Sequence, residues 1–473
     1  MVKVREKFQE EIRKILNKYR DRVFYIVNDN SITYGELLEK SEKLASFLRN
    51  ENSPVIVYGH KNIEMIISFI GCILAGRSYV PVDIFTPLDR IEKIIDLSKS
   101  TLVINNSGRR NVFSIDSIFN IDNLDIVEEN NNINDNNICY IIFTSGSTGV
   151  PKGVPISYEN LLNFIEWISN IDGLDLDRCN VLNQASFSFD LSITDFYYAL
   201  FNGHTWVGSE KILQEDLGSF LDYVNKNKIN LCVFTPTFIR YLLLDKGFGE
   251  DNYPFIKSFY FCGEVLDVDL VKKIYNRFPS CKVINAYGPT EATSAVSSVV
   301  ISKEMLEFDK LPVGEIDKCN NEVFINCDEI VIKGKSVFSG YLDNISGGHY
   351  KEESTNCYKT GDLGRIEDNY LYCLGRMDNQ IKLNGYRIEL EEIEKVIRDI
   401  DLVNMCCVIP KKDISGKVKY LKAYVVGDVS SCEINSVLSL KLPNYMIPKF
   451  IEIVDLLPVN NNGKLDRKKM ESL

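Results

Sequence analysis

The sequence predicts an α/β fold, with layered parallel strands and helices over most of the chain and a small α+β lobe at its C-terminal end. Three observations point there. From Val55 onward, short β-rich runs alternate with helical patterns of about 10–15 residues, the rhythm of parallel strands joined by crossover helices. A chain of 473 residues exceeds one ordinary core. The pattern then changes at Asp378, dividing the chain into 1–377 and 378–473.

The elements follow in order. The first twenty residues, MVKVREKFQEEIRKILNKYR, space apolar side chains helically among charges and lack the apolar run of a secretion signal. Thr33 and Glu36 stand three apart before LLEKSEKLASFL, predicting a capping box in which each side chain satisfies an orphan amide at the helix start. A strand at 55–58, a helix at 63–75, a strand at 79–82, a helix after Pro87 and a strand at 101–104 come next. The apolar stretch 65–76 is shorter than the ~20 residues of a membrane span, so it reads as a buried helix. EENNNINDNN at 128–137 predicts a solvated loop ahead of a strand at 139–143. Between 313 and 372 the runs EVFI, EIVIKG and YLYCLG, set among turn residues, predict a small β-rich subdomain. The C-terminal lobe reads as a helix at 389–400, strands at 405–409 and 421–426, and a closing helix. No internal repeat, Pro-rich linker or heptad array is present.

Composition narrows the function. Apolar residues make up 45% and charged residues 25%, which excludes wholesale disorder. The net charge of −12 gives no global attraction to nucleic acid or to an anionic membrane surface. Thirteen scattered cysteines without a CxxC pair, and only three histidines, predict reduced thiols in a cytoplasm rather than a zinc site.

One segment carries chemistry by its composition. After CYIIF comes TSGSTGVPKG at 144–153, with hydroxyls, glycines and one lysine. Glycines let a backbone approach closely, and hydroxyls and amides donate to phosphate oxygens, so the run predicts a phosphate-gripping loop. The P-loop pattern GxxxxGK[ST] is not met, because Gly153 follows Lys152.

The string YIIFTSGSTGVPKGV resembles the signature of the adenylate-forming superfamily, which includes amino-acid adenylation domains, acyl-CoA ligases and luciferases. Further family motifs follow in order: FSFDLS, FCGE, NAYGPTE, YKTGDL, GRMDNQIKLNGYRIELEEIE, LPNYMIP and NGKLDR. FSFDLSITDFY and FCGEVL look closest to the D-alanine ligases that charge a carrier protein. The resemblance implies a large adenylate-forming domain of two α/β layered subdomains plus the β-rich one, with a mobile C-terminal lobe. It also implies a reaction: ATP adenylates a carboxylate, pyrophosphate leaves, and a pantetheine thiol takes the acyl group as a thioester.

Residue by residue, it implies ATP binding by Thr144, Ser145, Gly146 and Lys152, and by Asn285, Ala286, Tyr287, Gly288, Pro289 and Thr290, with Tyr287 offering a face to adenine. Glu291 is similar to the family's magnesium-binding carboxylate and is a catalytic candidate. Asp362 resembles the ribose-binding aspartate, and Arg376 lies where the family has an arginine near the nucleotide. Lys464 in NGKLDR resembles the catalytic lysine that bridges carboxylate and α-phosphate. Asp378 falls at the family's hinge. Asp190 corresponds to the aspartate that pairs with a substrate ammonium, and Cys262 to the cysteine set against a D-alanine methyl. Ser294 departs from the valine of the D-alanine ligases, which admits serine, glycine, β-alanine or another small amino acid. The tract between Pro312 and Tyr358 is also shorter than is usual for the family.

No carrier segment follows Arg467 and no GGxS site appears in the chain, so the expected carrier protein is a separate chain; a monomer is also expected. Residues 378–473 hold 15 Lys+Arg against 14 Asp+Glu, the remainder 39 against 52, which makes the C-terminal lobe the expected docking face for an acidic carrier. The alternatives are an acyl-CoA ligase-like enzyme and a non-catalytic nucleotide-binding scaffold.

Overall fold

A computed structural model describes residues 2–49, 53–108, 113, 116–118, 137–146, 150–342, 347–413, 417–458 and 467–471. Two compact units emerge. The first comprises Met1–Ile84, Ser98–Ile142 and Val154–Gly375; the second comprises Phe85–Leu97, Phe143–Gly153 and Arg376–Leu473. The sequence division at 377/378 has no counterpart for the two short segments that join the C-terminal residues.

In the first unit the expected elements form. The capping box is complete: the Thr33 hydroxyl accepts the Glu36 amide at 3.1 Å, and the Glu36 carboxylate accepts the Thr33 amide at 2.8 Å. The apolar stretch becomes the helix Ile63–Leu74, buried from Met65 through Leu74. Among the described residues no helix is long and apolar enough to cross a membrane.

An eight-stranded sheet runs in the order Ser297–Val300, Lys282–Tyr287, Ser258–Phe261, Leu231–Phe234, Asn180–Asn183, Thr205–Gly208, Val23–Val27, Asn30–Thr33. Its interior pairings are parallel and its two edge strands antiparallel. A second sheet has Val55–Gly59 paired in parallel with Tyr79–Asp83 and Leu102–Asn105. Because strands of parallel sheets are covered on both faces, they read as continuous apolar runs, and VIVYG is buried at every position. The tract 313–372 forms the expected β-rich subdomain, a six-stranded antiparallel sheet that includes the long strand Thr355–Glu367. The expected loop at 128–137 lies outside the described residues except for Asn137.

In the second unit a hairpin, Gln380–Leu383 with Tyr386–Glu389, precedes the helix Leu390–Arg398. A sheet of Val403–Lys412, Val418–Gly427 and Phe450–Ile453 packs with this helix and with Ser431–Lys441 around Ile393, Ile397, Val408, Val425 and Leu438. The hairpin and the third strand are additions to the expected lobe. Arg90, from the segment Phe85–Leu97, is buried against Glu392 at 2.5 Å.

Candidate active site

Ligands of open parallel sheets bind beyond the carboxyl ends of the strands. Beyond Asn180–Asn183, Ser258–Phe261 and Lys282–Tyr287 lie Asp190, Cys262 and the turn 288–294, respectively. The three candidates from distant motifs therefore share one end of one sheet.

Asp190 stands at the start of the helix Leu191–Asn202 but makes no capping bond. Instead its Oδ2 accepts the Thr290 hydroxyl at 2.5 Å, tying FSFD to NAYGPTE. The loop that carries Asp190 is held from below. Lys61 is buried and its Nζ donates to the carbonyls of Asn183, Gln184 and Ala185 at 3.3, 3.0 and 2.7 Å, and to the Asn183 side chain. The Ser186 hydroxyl donates to Asp83, and the Ser188 hydroxyl to the Pro81 carbonyl at 3.1 Å. Burial pushes the Lys61 amine down and the nearby Asp195 carboxyl up, each toward its neutral form.

The turn after Lys282–Tyr287 is tightly built. A Cβ on Gly288 would lie 2.5 Å from the Ala295 Cα, so only glycine fits. Thr293 and Ser294 have φ of +60° and +70°, a left-handed conformation that is costly for a β-branched residue. The Thr293 hydroxyl bond to the Ser336 carbonyl, 2.7 Å, and the Phe338 amide bond to the Glu291 carbonyl, 2.9 Å, hold this conformation. Ser294 is buried and its hydroxyl lies 2.9 Å from that of Thr194. The Cys262 thiol approaches the Ser294 carbonyl at 4.0 Å.

Tyr287 and Asp362 come together: the phenol donates to the Asp362 carboxylate at 2.6 Å, both buried. Burial first, and the Asp362 charge second, push the Tyr287 phenol up. The Asn285 amide group is directed inward, donating to the Pro312 carbonyl at 2.7 Å, so it ties strand to loop. Ala286 and Thr290 are buried, and Pro289 precedes the short 3-10 turn Thr290–Ala292. Glu291 is fully buried and accepts the Tyr341 hydroxyl at 2.6 Å. Among the described residues no group of three or more His, Cys, Asp or Glu could cage a metal. A single carboxylate does fit magnesium, which takes its other ligands from phosphate and water.

The second unit holds the remaining candidates. The Ser145 hydroxyl donates to the Arg387 carbonyl at 2.8 Å, and the Gly146 amide to Glu392 at 3.2 Å. Thr144 ends its strand and Lys152, half-buried, begins the next one, near Glu389. Arg376 and Asp378 pair with each other, Nε to Oδ1 at 2.9 Å, and Asp378 also accepts the Gln380 amide at 3.1 Å. Burial alone would raise the Asp378 carboxyl; the Arg376 hydrogen bond and charge outweigh it and hold it below its usual range. Ser147, Thr148, Gly149 and Lys464 lie outside the described residues.

Lys61 and Tyr341 had no signal in the sequence, and Thr194 lay inside a quoted motif without being singled out. Each acts across the fold, as with Lys61 reaching Asn183 over 122 positions.

Comparison with known proteins agrees with this arrangement. The AMP-binding enzyme family matches residues 12–342, and the AMP-binding enzyme C-terminal domain matches 392–464. A D-alanine--D-alanyl carrier protein ligase of Bacillus licheniformis is 37% identical over 500 residues, spanning 98% of this chain and 99% of that one. The ligase of the same name from Bacillus velezensis is 38% identical over 488 residues, 93% and 94% of the two chains. Among solved structures, the Vibrio cholerae adenylation domain AlmE, in complex with glycyl-adenosine-5'-phosphate, superposes with a TM-score of 0.85 at 21% identity, covering 98% and 97%. That likeness shows the adenylation-domain fold, as expected from the motifs. By family match and by full-length identity, the chain belongs to the AMP-binding enzyme family.

Proposed function

We propose that the chain uses ATP to activate a small amino acid, D-alanine or one of similar size, and passes it to the phosphopantetheine thiol of a separate carrier protein. A carboxylate oxygen of the amino acid attacks the α-phosphorus of ATP, and pyrophosphate leaves with the electron pair of the broken P–O bond. The thiol then attacks the carbonyl carbon of the aminoacyl adenylate, loses its proton, and AMP leaves.

The observation that carries this reading is the Asp190–Thr290 bond, which joins a carboxylate suited to an ammonium to the segment assigned to the α-phosphate. A substrate ammonium would add a charge-assisted contact to that half-buried carboxylate, which a fatty or aryl acid cannot make. Family relatives named for carrier protein ligation support the acceptor. Asp362, held by Tyr287, is assigned to the ribose hydroxyls; Ser145, Gly146 and Lys152 to the phosphates; and Arg376 to the nucleotide. Glu291, steadied by Tyr341, would hold magnesium, which when bound neutralises charge on the phosphates. Lys464 is assigned to the charge that develops between carboxylate and α-phosphate, in a lobe of residues 378–473 that turns about Asp378 between the two half-reactions. Free cysteines at all thirteen positions suit a reducing cytoplasm.

The test is amino-acid-dependent ATP–pyrophosphate exchange in wild type and Lys464→Ala, with carrier loading followed by mass. The substitution is expected to slow exchange on the order of 10²–10³-fold while ATP still binds. Near-normal exchange in the variant would remove Lys464 from the mechanism.

A further inference from the structure

We propose that Lys61 is a positioning residue for amino-acid recognition: with Asn183 and Asp195 it forms a buried relay of ammonium, amide and carboxylate that sets the loop carrying Asp190. This rests on the adenylation reading above and deepens it.

The relay joins two sheets. Lys61 follows the strand Val55–Gly59 of the second sheet, whereas Asn183 ends a strand of the eight-stranded sheet. Both ends of Lys61 are fixed to the eight-stranded sheet and its loop. Its carbonyl accepts the Tyr25 hydroxyl at 2.7 Å, and its Nζ donates to the carbonyls at 183–185. The Asn183 side chain carries the contact onward: its Oδ1 accepts from Lys61, and its Nδ2 donates to the Asp195 carboxylate at 2.9 Å and to the Ala185 carbonyl at 3.2 Å. All three side chains are buried.

Hydrogen counting favours the charged form of Lys61. Every group bonded to Nζ is an acceptor, so a neutral amine would set its lone pair against an oxygen. A buried ammonium requires a counter-charge, and Asp195 supplies it through the Asn183 amide, whose oxygen faces the cation and whose N–H faces the anion. Asp83 and Glu210 add to the negative surroundings. Without the lysine, the carbonyls of Asn183, Gln184 and Ala185 still have Ser209, Gln214 and the Asn183 amide as donors, so the fold does not depend on Lys61 alone. What they lose is a single point of positive charge that turns three successive carbonyls toward itself. The same Nζ lies 5.4 Å from the centroid of the Phe187 ring, three residues before Asp190. The cation therefore fixes the direction in which the chain enters Phe187–Asp190, and a misplacement of about 1 Å in such a segment costs up to ~10²-fold in rate.

The experiment measures ATP–pyrophosphate exchange with D- and L-alanine and D- and L-serine on wild type, Lys61→Met, Asp195→Asn and the double variant, together with the Tm of each. Lys61→Met keeps the length and removes the charge; it is expected to raise KM for the best amino acid at least about tenfold while KM for ATP moves less than about twofold. Asp195→Asn, which keeps an acceptor for the Asn183 amide, is expected to shift the same KM in the same direction, and it decides the matter if Lys61→Met does not fold. The double variant leaves neither charge of the pair buried alone, so it is expected to regain Tm over Lys61→Met without regaining the amino-acid KM. Tm and amino-acid KM recovering together, or amino-acid and ATP KM values that rise in step or not at all, would make Lys61 merely structural and overturn the inference, with adenylation left standing. A wild type that shows no exchange with any amino acid overturns the adenylation reading and this inference with it.

Discussion

Aspartate at the first position of a helix ordinarily spends its carboxylate on the helix amides. Asp190 does not: its carboxylate is bonded to Thr290 instead, the geometry on which the proposed ammonium contact rests. Replacing it with alanine removes a charge-assisted contact of roughly 1.5–3 kcal/mol, so amino-acid activation should fall by at least about tenfold in kcat/KM. Asp190→Asn, which keeps an acceptor for Thr290, should lose nearly as much if the ammonium charge is what is read; steady-state exchange kinetics on both variants check this. Asp190, Cys262, Glu291 and Asp362 stood out as candidates because each sits inside a contiguous motif. Thr194 was not singled out, because a hydroxyl on a helix face announces nothing until its contact with Ser294 is seen. Asn285 was legible as a motif residue, yet its amide group serves the loop at Pro312. Local sequence does not disclose which way a side chain turns.

Elements with a local cause were the easiest to foresee. The Thr33 box needs only two residues three apart, and the parallel strands need only apolar runs. The hairpin Gln380–Leu383 with Tyr386–Glu389 turns on Asn384 and Gly385, with φ of +53° and +83°, the pair a tight two-residue turn requires. That Asn-Gly signal is present in the sequence, inside the long motif GRMDNQIKLNGYRIELEEIE. The strand Phe450–Ile453 had no such signal, since its place depends on pairing with Val418–Gly427. The connection after Leu191–Asn202 carries a pH dependence. His204 is buried, and its Nδ1 accepts the Cys179 amide at 3.3 Å, which needs that nitrogen unprotonated. Burial lowers its pKa to about 4. Between pH ~6.5 and that value the unfolded chain takes up a proton that the folded chain refuses, so the stability is fully present above pH ~6.5. It is lost as pH falls, by up to ~1.4 kcal/mol per pH unit. Denaturant unfolding at several pH values between 7.5 and 4.5 should show this slope in wild type and a shallower one in His204→Gln. Equal slopes would assign the acid sensitivity to other groups.

Over the whole molecule, the two units each have their own apolar core, with Ile393, Val408 and Leu438 central to the second. The boundary near Asp378 was visible as a change of pattern, but the inclusion of Phe85–Leu97 and Phe143–Gly153 was not, because it arises from bonds such as Arg90 to Glu392 and Gly146 to Glu392. If Asp378 is the pivot, Asp378→Pro, which fixes φ near −65°, should slow one half-reaction far more than the other when adenylation and thioester formation are timed separately. Equal losses would leave Asp378 as the partner of Arg376 and of the Gln380 amide, without a pivot role. The central claim is that the chain activates a small amino acid and recognises it by its ammonium. The most direct test compares ATP–pyrophosphate exchange supported by alanine or serine with that supported by propionate, which has the carboxylate but no amine. Exchange with the amino acids and at least about tenfold less with propionate is the predicted result; propionate supporting exchange as well as either amino acid would contradict it.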